Sequence, residues 1–505
     1  MQIGRQQIFT NHKEITSENI ADVMRESMSI HDKNVNRMNF LLEYEAGKQP
    51  IVRKQKKKYR PDIDCKCVDN VANEVSDFKI SYGWNNLITL VMREVMADKN
   101  NAEAVALLNK FYEIAGYEAI QQALARFVEI CGIGYTYIDI NTEYEDGESP
   151  FVATFLDPRC TFLVYSNYYI DNRPIMAVSY SCDSKGTKQY TCFTKNRRYE
   201  LNNLYEHISG SDQENPLGII PIIEWVRYYD RMGCFERQIP EMDNLNLLVS
   251  DFTNDVEQNT QVIWHTVDVE FPKVVTTNSD GTETEETRKP QSNEWLQTYS
   301  TADGKTPKIA PLVVNYDYPG MLQNIIARRS LILQKCNVPS RNDNSGGSTG
   351  IAMSDATGWT QAEVEAVRQD QVKSACKIQE VKVVLKAIAK CSGFPKENPL
   401  LRLKASDVKA SIKRQKTYEM TTKINAYATG VSHGINYKDM LNAINLFDDP
   451  QQVAKNSEET TKAYLESVFK ANTNEPVGGV DEKKPNADRL EQDKSDQMNN
   501  SPMMN

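Results

Sequence analysis

Gly304-Lys305-Thr306 carries the residue types of a phosphate cradle. A P-loop needs another glycine five positions earlier, where Tyr299 stands, and Pro307 obstructs the helix that should follow. Cys65 and Cys67 are spaced to share a zinc ion, but a structural site takes a second ligand pair. Neither the five histidines nor the other cysteines supply one at ligand spacing. Asp280-Gly281 with Glu283, Glu285 and Glu286 has the carboxylates of a calcium loop but the layout of an acidic hairpin turn. His12, His31, His207, His265 and His433 are scattered, and no H-E-x-x-H, G-x-S-x-G or G-x-G-x-x-G pattern occurs. The expectation is a non-enzymatic protein with no catalytic centre, no metal and no cofactor.

The remaining chemistry is that of contact with phosphate. Arg53, Lys54, Lys56, Lys57, Lys58 and Arg60 form a basic run closed by Pro61, which reads as a solvated loop. The formal net charge is −10, so there is no global positive field of the kind that holds nucleic acid by counterion release. Any DNA partner is one the protein does not grip. Residues 339–358, PSRNDNSGGSTGIAMSDATG, are the freest interior stretch, since Gly346, Gly347 and Gly350 lift steric limits and Asn, Asp and Ser favour turns. Arg328, Arg329, Lys335 and Arg341 lie beside it.

The elements that must position this stretch follow from periodicity. At 505 residues, with 40% hydrophobic and 25% charged residues, the chain is long enough and apolar enough to bury at least one large core. The ten dispersed cysteines read as free thiols in a reducing compartment. The start has no apolar signal-peptide core, and no run reaches the ~18 apolar residues of a membrane span. A soluble protein made in the cytoplasm is expected.

Helical spacing runs through residues 17–47, 69–79 and 87–132, the last stopping at Gly132. Strand-like runs follow at 135–140, 151–156, 161–165, 175–182 and 190–194, and again at 219–225 after a Gly/Ser/Asp/Asn linker at 209–215. A long amphipathic helix is expected over 240–264, ~35–40 Å at 1.5 Å per residue. Residues 265–317 change to Thr, Val, Glu, Asp and Pro, with a hairpin turn at 278–281. Helix resumes from Met321, halts at Val338-Pro339, and returns over 359–391. Residues 406–471 read as helical, broken by Gly430 and Gly434, and a polar tail from Asn472 reads as disordered. The fold class is α+β.

Five blocks in order then carry a resemblance. They are Asp69-Asn70 with Glu74-Val75-Ser76-Asp77-Phe78 and Tyr82-Gly83; Ile130-Cys131-Gly132-Ile133-Gly134-Tyr135; Leu156-Asp157-Pro158-Arg159 with Phe162 and Tyr165; the segment 215–224, NPLGIIPIIE; and Glu236 with Asp243, Asn246, Ser250, Asp251, Asn254 and Asp255. Together they resemble the portal proteins of tailed bacteriophages, in the group typified by the SPP1 portal, over roughly residues 15–470. Cys234 stands where that family often has aspartate and Trp225 where it often has phenylalanine.

The resemblance implies a ring of about twelve subunits at one capsid vertex, through which double-stranded DNA is packaged and ejected. It implies a wing over 1–238, stem helices over 239–264 and 318–337, a clip over 265–317 and a tunnel-loop region over 338–358. A long wing helix would cover 359–393, a helical crown 394–471 and a tail 472–505. Asn344, Ser345, Gly346, Gly347, Ser348 and Thr349 would be the DNA-channel loop, following a groove without reading bases. Arg328, Arg329, Lys335 and Arg341 would be channel-lining cations. Implied partners are the terminase large subunit, then a head-tail adaptor, with major capsid and scaffold proteins; the place is the virion's portal vertex, and host cytoplasm during assembly. Two other classes compete. Another head-tail connector component is usually far shorter, and a metal-dependent nucleic-acid enzyme needs a carboxylate constellation that the sequence does not display.

Overall fold

The computed structural model describes residues 4–55, 61–93, 99–170, 173–260, 263–267, 269–270, 273–277, 281–287, 299–300, 308–312, 317–339, 358–414, 420–444 and 457. It is a mixed α and β structure in two compact units, residues 1–414 and 415–505.

The first unit opens with strand β1 (Ile8–Thr10), helix α1 (Ile20–Glu45), helix α2 (Val71–Gly83), strand β2 (Thr89–Met92) and helices α3 (Lys99–Ile114) and α4 (Tyr117–Cys131). Eight strands follow: β3 (Ile133–Ile140), β4 (Phe151–Leu156), β5 (Thr161–Ser166), β6 (Pro174–Cys182), β7 (Lys188–Phe193), β8 (Arg197–Leu201), β9 (Gln213–Glu214) and β10 (Ile222–Val226). Helix α5 (Ile239–Thr260) leads into strands β11 (Ile263–Val267), β12 (Val269–Glu270), β13 (Lys273–Thr277), β14 (Glu283–Thr287), β15 (Tyr299–Ser300) and β16 (Lys308–Leu312). Helix α6 (Tyr318–Lys335), helix α7 (Trp359–Lys390) and strand β17 (Val408–Ser411) complete it. In the second unit, helices α8 (Met420–Ser432) and α9 (Tyr437–Ile444) are described.

Six strands form a sheet in the order β1-β5-β6-β7-β8-β9, with β1 parallel to β5 and the other pairs antiparallel. Helix α1 covers it because Ile20, Val23, Met24 and Met28 recur at three and four spacing and meet Phe162, Val164, Met176 and Val178 from alternate strand positions. A second sheet, β10-β3-β4, packs against α4 and α7. The turn from α4 into β3 depends on glycine twice. Gly132 caps α4 at φ 79°, and a Cβ on Gly134 would lie 2.7 Å from Leu124 Cδ1.

The 87–132 expectation is corrected. Thr89–Met92 is a strand paired antiparallel with Val408–Ser411, and left-handed Gly116 separates α3 from α4. Residues 406–414 are likewise strand and coil of the first unit, not helix. Both errors have one cause, since each strand is stabilised by a partner more than 300 residues away, which local periodicity does not report. Helix α5 ends at Thr260, so Ile263 and Trp264 belong to a strand. Gly430 lies inside α8, and it is Gly434, at φ 88°, that follows the helix end. The tail from Asn472 and the triplet at Gly304 lie outside the described residues.

Candidate DNA-channel segment and its anchor

Between α5 and α6 the strand pairings are nested, β11 with β16, β12 with β15 and β13 with β14. The chain therefore leaves one helix along a two-stranded ribbon and returns along its partner to the next. β13 and β14 pair with Thr277 opposite Glu283, as strands flanking the expected turn should, while residues 278–280 of that turn lie outside the described residues. Helices α5 and α6 run antiparallel: Phe252 meets Tyr318 edge to face, with centroids 5.9 Å apart, and Lys335 pairs with Glu241 at 3.3 Å. Asp317 caps α6 by accepting from Gly320 N, and Pro319 occupies the first turn, where no amide is needed.

One face of α5 is polar yet buried. Asn246, Ser250 and Asn254 recur every four residues, about 6.0 Å apart along the helix axis. Opposite them runs the extended segment 65–69, whose alternate residues are about 6.6 Å apart. The two spacings nearly match, so the backbone amides of Cys65, Cys67 and Asp69 donate to Asn254, Ser250 and Asn246 at 2.7, 3.0 and 2.9 Å. A helix face here substitutes for the neighbouring strand of a sheet. The spacing of these three residues was visible in the sequence; their strap was not.

Helix α6 ends in a left-handed residue, Asn337 at φ 53°. Its carbonyl accepts from Lys79 Nζ at 3.1 Å, and its side-chain amide donates to Glu365 on α7 at 3.2 Å. Glu365 also pairs with Lys79 and with Arg227, whose Nε donates to the buried Glu129 at 2.9 Å. Burial pushes the Glu129 carboxyl up, but Arg227, Lys373 and a hydrogen bond from Trp84 outweigh it, so the group is held below its ordinary value. Burial pulls Lys373 down to about 8 against the attraction of Glu129 and Asp370. Its ammonium lies 4.1 Å from the Trp84 ring centroid and donates to Gly83 O at 3.0 Å. This ion network ties α2, α4, α6 and α7 together where the candidate loop begins and ends.

The sequence-predicted site residues fall unevenly around that anchor. Arg329 is bound within its own chain by Asp69 at 3.0 Å and by Glu74. Lys335 bridges α6 to α5 as above, and Arg328 is exposed, donating to Asn324 at 3.1 Å. Arg341, Asn344, Ser345, Gly346, Gly347, Ser348 and Thr349 lie outside the described residues. Sequence reasoning missed Lys79, Arg227, Asn337 and Glu365. Glu129, Arg227 and Glu365 are charged residues in apolar surroundings, and that was the one signal available.

Other motif residues are fasteners. Glu224 accepts from Tyr135 and Tyr165 hydroxyls at 2.8 and 2.6 Å and pairs with Arg231. Asp157 takes the backbone amide and guanidinium of Arg159, and Asn215 bridges Thr194 O and Ile219 O at 2.8 Å each. Glu236 binds Arg5 and Arg37. Among the described residues no group of three or more His, Cys, Asp or Glu converges as a metal site, and no helix is long and apolar enough to cross a membrane.

Two long antiparallel helices are joined by a β ribbon and set on an α+β body, and the stretch that follows is fastened at its base by the Asn337–Glu365 bond. The family described as phage portal protein, SPP1 Gp6-like, matches residues 26–466, and the chain belongs to it. Its function is that of a phage portal protein, in a family that is structural and in general non-enzymatic. Membership implies a place at a capsid vertex of the virion, in partnership with DNA and the capsid. No curated protein matches the chain significantly.

Proposed function

We propose that the chain is one subunit of a closed ring of about twelve copies, with α5 and α6 as its stem and residues 344–349 as the loop that touches DNA. One observation carries this reading. Leu322 and Ile326, one turn apart on the same face of α6, stand 46% and 45% exposed. An apolar stripe left open on a helix whose other faces meet α5 and α2 calls for another copy of the same pair. A ring supplies that copy to every subunit alike.

In this reading residues 1–238 are the wing, the nested β ribbon within 265–317 is the clip, α7 is the long wing helix and the region from 394 leads into the crown. The clip docks the terminase large subunit during packaging and a head-tail adaptor afterwards, while the wing meets capsid and scaffold proteins. The assembled ring forms in host cytoplasm. ATP is hydrolysed by the terminase, and the ring contributes geometry. An acidic wall suits a conduit, because a channel that bound phosphate strongly would stall the DNA. Arg329 and Lys335 then serve stem integrity through Asp69, Glu74 and Glu241, and among the described residues of the four candidate cations Arg328 is the one without an acidic partner, left to line the channel.

The test is native mass spectrometry of the purified chain with end-on particle images, on wild type and on Leu322→Lys with Ile326→Lys. A closed ring of about twelve copies that the double variant breaks into smaller species is expected. A stable monomer for wild type, above all one that cleaves nucleic acid when given a divalent metal, overturns the reading.

A further inference from the structure

The thiols of Cys65 and Cys67 are used by nothing above, yet the fold brings them together. Both residues lie on the strap held against α5: Cys65 N donates to Asn254 Oδ1 and Cys67 N to Ser250 Oγ, and the Cys65 carbonyl accepts from Asn254 Nδ2 at 3.2 Å, while the Ser250 hydroxyl proton goes to Asn246 O at 2.7 Å. Three bonds therefore hold the backbone extended at these positions. In extended backbone, residues two apart project their side chains to the same side. The sulfurs accordingly lie 3.7 Å apart, with Cys65 exposed and Cys67 half-buried.

We propose that Cys65 and Cys67 are a reversible dithiol–disulfide pair, closed by low-molecular-weight disulfides and reopened by excess thiol. In the forward step both S–H bonds are lost and one S–S bond forms between Cys65 and Cys67. Two electrons pass to the small disulfide, whose own S–S bond breaks to give two thiols, and the two protons end on those thiols. The path runs through a mixed disulfide on one cysteine, which the second displaces from a sulfur already beside it. Closure requires the sulfurs to approach from 3.7 Å to about 2.0 Å, a shift that side-chain rotation and slight backbone adjustment supply. Bridging residues two apart closes a small ring around Lys66, and strained bridges are those that thiols reopen most readily. The chain would therefore carry free thiols in a reducing cytoplasm and a closed strap over α5 in an oxidising medium.

The hydrogen bond to Cys67, with the carboxylates of Glu257 and Asp64 nearby, raises the Cys65 thiol above its ordinary range, so equilibration is run at mildly alkaline pH. The full-length protein is incubated in buffers rich in glutathione disulfide or in glutathione, alkylated and digested with trypsin. Cleavage after Lys66 separates fragments 59–66 and 67–79 unless a bridge joins them. The joined pair is expected in the oxidising buffer, separate alkylated fragments in the reducing one, and no joined pair in Cys65→Ser or Cys67→Ser. Separate fragments in the oxidising buffer, whether as free thiols or each carrying glutathione, overturn the proposal. So does a joined pair found only in cross-linked dimers on a non-reducing gel.

Discussion

Asn337 and Glu365 are 28 residues apart in the chain, yet the amide of the first donates to the carboxylate of the second at 3.2 Å. That bond closes the stretch between the end of α6 and the start of α7 at its base. It does not act alone, because the same carboxylate faces Lys79 and Arg227 with little water to screen them.

Glu365→Gln should therefore destabilise the first unit well beyond the loss of one surface ion pair. Removing one partner of a buried ionic cluster leaves the others uncompensated, which costs about 3–5 kcal/mol. Equilibrium urea denaturation measures it. A second substitution, Lys79→Met, made in the Glu365→Gln background should cost much less than it does in wild type, because the two share one interaction. Strict additivity would show that the cluster is not coupled.

Asn337 permits a separation of backbone from side chain. Its φ of 53° suits glycine better than alanine, while only asparagine supplies the amide to Glu365. Asn337→Ala loses both advantages and should cost about 1–2 kcal/mol, with Asn337→Gly falling between alanine and wild type. Thermal denaturation of the three proteins gives the order. Glycine and alanine variants melting together would mean that backbone strain plays no part.

The sequence displayed what is local. Strands β4 and β6, the antiparallel pairing of β13 with β14, the halt of α4 at Gly132 and the arrest of α6 near Val338-Pro339 are each written in neighbouring residues, as turn chemistry or alternation. What escaped is what distant segments supply to each other. Thr89–Met92 has the composition of a helix margin until Val408–Ser411 pairs with it, and Lys79 resembles any solvated lysine until Asn337 O and Glu365 enclose it. The same holds for Asn246, Ser250 and Asn254. Their four-residue spacing reads as a polar helix face turned to water, whereas the strap at 65–69 makes it an interior surface.

Ser250→Ala probes that interior surface with little change in volume. It leaves the Cys67 amide without its acceptor and should cost about 1–3 kcal/mol. Hydrogen exchange read residue by residue should show faster exchange at Cys67 first and at Cys65 and Asp69 to a lesser degree, since their own acceptors on α5 remain. Exchange that quickens evenly over the whole unit would report global destabilisation and remove the ladder as a local device.

His31 gives the fold a predictable response to acid. Its ring is buried between α1 and the six-stranded sheet, 4.4 Å from the Phe162 ring centroid, with Nε2 donating to Arg159 O at 3.1 Å. Burial is the main cause that pulls its pKa from 6.5 down to about 4, and Lys188 adds to it; the bond to Arg159 O and the charge of Asp32 oppose. Between those two values the unfolded chain binds a proton that the folded chain refuses, so stability falls as the pH drops from 6.5 to about 4 and is unaffected by this group above that window. The full loss approaches about 3 kcal/mol. His31→Gln keeps a donor for Arg159 O but cannot titrate, so urea midpoints measured from pH 7 to pH 4 should fall less steeply for the variant than for wild type. Parallel curves would mean that His31 takes up its proton within the folded protein and that the acid response belongs to the carboxylates.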